Sequence, residues 1–228
     1  MISKAEWDSR YFDYPVGILK IKEGSNFDLK KILAESKKFK LVYIISEMDL
    51  EDIPLLKSMD KKVIYSKQIS THKNSEQILE YSPEIHSYDQ LLNLAYLSGI
   101  YSRFKRDKNF RKNEFRFLYK EWLDKSIDKK LSFKVLIKHL EDEIAGFVTL
   151  NKKDTYTSEI GLIAVSEKFQ GRNIGTKLIQ ECEFLSLEQN LPIIEVATQY
   201  ENLPARRLYE KNNFSIKNIT YIYHYWNL

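Results

Sequence analysis

Residues 165–177, Val165-Ser166-Glu167-Lys168-Phe169-Gln170-Gly171-Arg172-Asn173-Ile174-Gly175-Thr176-Lys177, join an apolar run to an amphipathic helical pattern through a short loop that carries glycines. A chain that ends a strand in this way and enters a helix at once presents unpaired backbone N–H groups and the positive end of a helix dipole to whatever sits above the loop. That is a setting for phosphate. Gly171 and Gly175 are expected to let the backbone approach a ligand closely, and Asn173 tolerates a left-handed conformation. Arg172 and Lys177 add positive charge. The spacing is neither Gly-x-x-x-x-Gly-Lys nor Gly-x-Gly-x-x-Gly, so a Walker A loop and a Rossmann fingerprint are both excluded. The bland alternative is an ordinary turn with a glycine at a helix start.

Periodicity around this segment predicts an α+β order. Helices are expected over 88–104 and 113–127, then strands over 132–139 and 144–150 around the turn Glu141-Asp142-Glu143. A strand over 159–165, a helix over 175–190, a strand over 193–198, a helix over 204–212 and an aromatic strand over 219–226 complete this part. The preceding residues read as a smaller α/β unit. It has strands over 16–21, 41–45 and 63–69, a helix over 29–39, and a short helix over 53–59 beginning near Pro54. The polar stretch 70–83 marks a boundary, giving a small domain over 1–75 and a larger one over 84–228.

A second motif follows the loop. Residues 195–214 contain Asn202, Ala205, Leu208, Tyr209 and Phe214. Together the two segments resemble the GNAT acetyltransferases. Their coenzyme loop, Gln/Arg-x-x-Gly-x-Gly/Ala, is matched by Gln170 and Gly175. Their second pattern, Asn-x-x-Ala-x-x-Leu-Tyr-x-x-x-Gly-Phe, is matched by the five residues above. Asn173 and Asn213 stand where the family usually has glycine, and asparagine is the usual second choice for a left-handed position.

The resemblance implies the GNAT fold, a mixed and mostly antiparallel sheet flanked by helices, with acetyl-CoA as co-substrate and no metal. Ile163, Ala164 and Val165 would offer backbone groups to the pantetheine arm, as in strand addition. Gln170, Gly171, Arg172, Asn173, Ile174, Gly175 and Thr176 would hold the pyrophosphate, with Asn202, Ala205 and Tyr209 completing the coenzyme site. Transfer of acetyl to an amine releases a thiolate, which is best discharged by a nearby phenol. Tyr209 stands where the family often places that acid; packing between helix and sheet is the alternative. Glu159 stands where some relatives carry a catalytic carboxylate, against the alternatives of a lysine partner on an exposed strand, or water as base.

Beyond this core the chain resembles the bacterial dTDP-fucosamine acetyltransferases, which act on dTDP-4-amino-4,6-dideoxygalactose. The residues concerned are 7–17, Ser102-Arg103-Phe104, Phe117-Leu118-Tyr119 with Trp122, Val196-Ala197-Thr198-Gln199, and 221–226. The resemblance implies a nucleotide-linked amino sugar as acceptor and a homodimer. A diphosphate calls for arginines and a thymine ring for aromatic faces, which makes Arg103, Phe104 and Arg111 candidate acceptor residues. A basic helix–helix connection is the plain reading of the same loop. Other amines (a UDP-amino sugar, a polyamine, a protein N-terminus) and a non-catalytic module of the same fold remain open.

Composition narrows the class further. Net charge is +4, from 36 basic and 32 acidic residues, and the lysines are scattered rather than gathered into a phosphate-tracking stripe. Nucleic acid is therefore not expected as a partner. No apolar run reaches membrane-spanning length and the start carries no apolar leader, so no membrane association and a cytoplasmic location are expected. The single cysteine, Cys182, lies in an apolar helical pattern and reads as a core residue. His72, His86, His139 and His224 show no metal-ligand spacing.

Overall fold

The computed structural model describes residues 1–24, 28–50, 52–53, 56–70, 78–111 and 113–227. These fall into two compact units. One comprises Met1–Val63, Gln199–Glu201 and Asn218–Leu228; the other comprises Ile64–Thr198 and Asn202–Lys217. The boundary expected between residues 75 and 84 falls in part outside the described residues.

In the first unit, β1 (Ser3–Lys4) and α1 (Glu6–Phe12) precede β2 (Val16–Ile21), α2 (Leu29–Ser36) and β3 (Leu41–Ser46). Asp28 caps α2 by accepting from the backbone N–H of Lys30 and Lys31 at 2.9 and 3.3 Å. The helix stops at Ser36 rather than Phe39, because Phe39 N–H turns back onto Ser36 O at 2.8 Å. β3 is a nearly unbroken buried run, paired parallel to β2 and, across residues 221–226, antiparallel to β10 (Ser215–Trp226). Leu19, Ile21, Val42, Ile44 and Tyr223 fill its core. The helix expected over 53–59 is corrected in part. Residues 54 and 55 lie outside the described residues, and residues 57–59 already belong to β4 (Lys57–Gln68). Met59, Val63 and Tyr65 are buried on alternate positions of that strand, a period of two that outweighs the proline cue.

The second unit holds β5 (Leu79–Glu80), α3 (Tyr88–Ser98), α4 (Arg103–Arg106), α5 (Glu114–Ile127), β6 (Lys134–Leu140), β7 (Glu143–Lys152), β8 (Thr157–Val165), α6 (Ile174–Glu188), β9 (Ile193–Gln199) and α7 (Leu203–Lys211). The order in its sheet is β4-β9-β8-β7-β6-β5. β6, β7 and β8 form an antiparallel meander, and β8 pairs parallel with β9 across the α6 crossover. This is the mixed α+β architecture expected from the pattern. Glu141 and Asp142 both take positive φ, 52° and 61°, as a tight hairpin between β6 and β7 requires. The single helix expected over 88–104 is two: α3 ends at Ser98, and Ser102 opens the four-residue α4. Leu91, Leu94, Leu123, Ile137 and Phe147 form the core between α3, α5 and the sheet.

Candidate active site

The site is built on β8, which is irregular on one edge and departs from its neighbour on the other. Against β7 the register runs Val148↔Ile163 and then Leu150↔Ile160. β7 advances by two residues while β8 advances by three, so β8 carries a bulge at Gly161–Leu162. Thr149 fills it: its hydroxyl accepts from Leu162 N–H at 2.8 Å. A Cβ at position 161 would lie 2.8 Å from Thr149 Oγ1 and 2.9 Å from Asn151 Nδ2, so only glycine lets these side chains cross the strand. Against β9 the register runs from Thr157↔Ile193 to Ile160↔Val196. β8 continues to Val165 and β9 to Gln199, so residues 161–165 and 197–199 lie beyond that ladder. Bulge and divergence begin at the same residues. Ile163, Ala164 and Val165 thus occupy a stretch with one edge outside the β8–β9 ladder, where an extended amide-bearing ligand can pair.

The loop that follows keeps the expected conformation. Gln170 donates from Nε2 to Val165 O at 3.5 Å. Gly171 has φ +78° with nothing within 4 Å of where a Cβ would stand. Asn173 is left-handed (φ 60°, ψ 17°) and opens α6 without capping it through its side chain. Its Oδ1 instead accepts from Lys211 Nζ at 3.3 Å. The first-turn N–H groups of Ile174, Gly175 and Thr176 are left to a ligand or water. Arg172 contacts Glu141 at 3.1 Å, and Lys168 contacts Glu143 at 2.7 Å, so both cations are held by the β6–β7 turn. Gly175 has a packing reason besides the one its spacing suggests. A Cβ at 175 would meet Leu208 Cδ2 at 2.9 Å and Cδ1 at 3.1 Å. The glycine lets α6 and α7 pack together.

α7 begins at Asn202, whose Oδ1 accepts from Ala205 N–H at 3.3 Å, with Pro204 in the first turn. Asn202 and Ala205 thereby start the helix that carries Tyr209. Tyr209 is 2% exposed. Its ring lies 5.6 Å from Tyr65 and 6.0 Å from Phe214. Burial pushes the Tyr209 phenol far above its ordinary value, with the neighbouring Tyr65 adding to the effect. The group is protonated at neutral pH, as a proton donor must be. Tyr65 is fully buried. It donates to Glu210 Oε1 at 2.6 Å and accepts from Arg206 Nε at 3.2 Å. The sequence reading missed these three residues. Arg206 and Glu210 are four residues apart on α7, one on each side of Tyr209 in the sequence, but nothing in the sequence ties them to Tyr65.

Glu159 is half-buried and stands next to the last β8–β9 ladder pair, opposite Asn151 on β7 and Glu195 on β9. Glu195 is 1% exposed and accepts from Lys153 at 2.5 Å and Lys217 at 2.6 Å. Burial pulls the Glu195 carboxyl upward, but the two lysine hydrogen bonds outweigh it and hold the group below the ordinary carboxylate range. The hydrogen bond to Glu195 holds the Lys153 amine above its ordinary value, and the charge of Glu159 adds to that effect.

The three acceptor candidates gather in one connection. Phe104 is 7% exposed and packs against Phe110 and Trp122, with ring centroids 5.4 and 6.1 Å apart. Arg103 lies over the Phe104 ring at 4.3 Å. Arg111 is exposed, and its backbone N–H donates to Glu114 Oε2 at 2.6 Å. Phe104 therefore holds α4 against α5, while Arg111 reaches solvent. Cys182 is fully buried, which pushes its thiol up and fits the core role expected of it. Among the described residues, no helix is long and apolar enough to cross a membrane.

Residues 97–214 match the model of the acetyltransferase (GNAT) family. Over 144 residues the chain is 25% identical to spore coat polysaccharide biosynthesis protein SpsD of Bacillus subtilis (strain 168), covering 63% of this chain and 49% of that protein. The chain thus spans about half the length of that relative. A functionally unknown conserved protein of Staphylococcus epidermidis ATCC 12228 superposes with a TM-score of 0.64 at 14% identity, over 94% of this chain and 84% of its own. A GCN5-related N-acetyltransferase of Sphaerobacter thermophilus superposes with a TM-score of 0.54 at 13% identity, over 86% and 64%. At such identities these likenesses are likenesses of fold.

Proposed function

Because the chain belongs to the acetyltransferase (GNAT) family, we propose that it transfers the acetyl group of acetyl-CoA to the 4-amino group of a dTDP-4-amino-4,6-dideoxyhexose. The observation that carries the acetyl-transfer reading is the coincidence on one strand of the Gly161–Leu162 bulge and the divergence from β9. The left-handed helix start at Asn173 follows on the same stretch of chain. In this reading Ile163, Ala164 and Val165 pair with the pantetheine amides. The backbone from Gln170 to Thr176 takes the pyrophosphate, through N–H groups rather than through Arg172, whose charge the β6–β7 turn already engages. The amine nitrogen bonds to the thioester carbonyl carbon and the C–S bond breaks. Tyr209 gives its proton to the departing thiolate sulfur, and Glu159 or water takes the proton lost by the amine. Backbone N–H groups near Val165 face the oxyanion.

The acceptor assignment rests on the full-length resemblance and on Arg103 and Arg111, which offer charge-assisted contacts to a diphosphate while Phe104 keeps their segment in place. The name of SpsD, a polysaccharide biosynthesis protein, points the same way. The test is a screen of the purified full chain with acetyl-CoA against dTDP- and UDP-amino sugars, polyamines and peptides, following thiol release. The highest kcat/KM is expected with dTDP-4-amino-4,6-dideoxygalactose. A polyamine or peptide acetylated with higher kcat/KM would overturn the acceptor and leave acetyl transfer standing. Thiol release with none of them would overturn acetyl transfer itself.

A further inference from the structure

We propose that Tyr65 is a positioning residue for Tyr209, acting through a clamp on α7 formed with Arg206 and Glu210; this rests on the reading of Tyr209 as proton donor. Tyr65 comes from β4, which lies beside β9 in the sheet and far from α7 in the sequence. Tyr65 is 0% exposed and its ring packs against the Tyr209 ring, with centroids 5.6 Å apart and planes tilted by 52°. Phe214 is a second aromatic neighbour of the Tyr209 ring, at 6.0 Å with the same tilt. Between two fixed aromatic neighbours a phenol is left few orientations, and a proton donor needs one.

The hydroxyl of Tyr65 does the second part of the work. A buried phenol needs a partner for its O–H, and Tyr65 has two. It donates to Glu210 Oε1 at 2.6 Å and accepts from Arg206 Nε at 3.2 Å. Glu210 is the residue after Tyr209, and Arg206 lies one helical turn before it. The two bonds therefore grip the backbone on both sides of the residue whose direction matters. By contrast, the direct Arg206–Glu210 contact is long, 3.9 Å, and leaves Glu210 half exposed. Tyr65 rather than that ion pair closes the clamp. Of the groups that face the Tyr65 hydroxyl, Glu210 raises its proton affinity and Arg206 lowers it, after burial has raised it most. The net direction keeps Tyr65 a neutral donor to Glu210 while Tyr209 works.

A structural role alone would slow the enzyme whether or not Tyr209 carries its hydroxyl, and a positioning role would not. Tyr65→Phe keeps the ring and removes the clamp. It should lower kcat by about tenfold to a hundredfold, the scale set by a misplacement on the order of 1 Å, while the KM for acetyl-CoA stays within about twofold. The acceptor is dTDP-4-amino-4,6-dideoxygalactose, and coenzyme affinity is checked by calorimetry. In a Tyr209→Phe background the same change should cost nothing further, because there is no proton left to aim. Glu210→Ala opens the clamp from a half-exposed position with little risk to folding, and it should show the same dependence on background. Equal losses in both backgrounds, or wild-type kcat in Tyr65→Phe and Glu210→Ala, would overturn the proposal. Tyr209→Phe alone reports separately on the donor: wild-type turnover in that single variant sinks the donor reading, whatever Tyr65 does.

Discussion

Replacing Gly175 with valine should destabilise the fold before it disturbs any ligand. A Cβ at 175 lies 2.9 Å from Leu208 Cδ2 and 3.1 Å from Cδ1. Carbon atoms rest at about 3.5–4.0 Å, so the closer contact is short by about 0.6 Å before the valine methyls are added. Overpacking of this kind costs roughly 1–3 kcal/mol. Valine is the better helix former by a few tenths of a kcal/mol, which offsets little. The net loss is about 2 kcal/mol, or a fall in Tm of about 4–8 °C for a chain of this size. Thermal and urea unfolding followed by circular dichroism measure it. Trimming the partner supplies the control: Gly175→Val in a Leu208→Ala background should lose distinctly less than in the wild type, because the methyls then have room. Unchanged unfolding in Gly175→Val together with weaker coenzyme binding would refute this reasoning. It would leave Gly175 with the ligand role alone that its place in the loop motif suggests.

Gly171 behaves differently, since it sits at φ +78° with open space where a Cβ would stand. Gly171→Ala should cost about 1–2 kcal/mol from the left-handed backbone alone, with no relief from trimming any neighbour; full stability in the urea midpoint would count against that conformation. Glu195 has its folded pKa held below the unfolded value of about 4.3. Its contribution is therefore complete above that unfolded value and is lost as the pH falls through the lower folded one. Unfolding midpoints across the acid range should fall less steeply in Glu195→Gln than in the wild type, and identical slopes would show that the Lys153 and Lys217 contacts do not set the carboxyl.

What the sequence discloses about this site and what it hides divide along one physical line. Local pattern locates β8, α6, β9 and α7 to within a residue or two, because burial on one face of a strand or helix repeats at a fixed period. The left-handed turn at Asn173 is readable as well, since few residue types accept that conformation. The Gly161–Leu162 bulge is not, because the hydroxyl that receives the Leu162 N–H there belongs to Thr149 on the neighbouring strand. Gly175 is readable as a glycine but not as a packing residue, since a missing side chain looks the same whether it admits a phosphate or Leu208. Tyr65 is the extreme case: its partner Glu210 lies 145 positions away. Each hidden feature acts across the sheet or between elements, and each adjusts where a group on a readable element comes to rest. The motif residues thus state what kind of chemistry the fold is built for. On the proposal made above, the direction in which Tyr209 points is set by Tyr65, which no motif names, so Tyr65→Phe is expected to slow turnover while leaving every motif position intact.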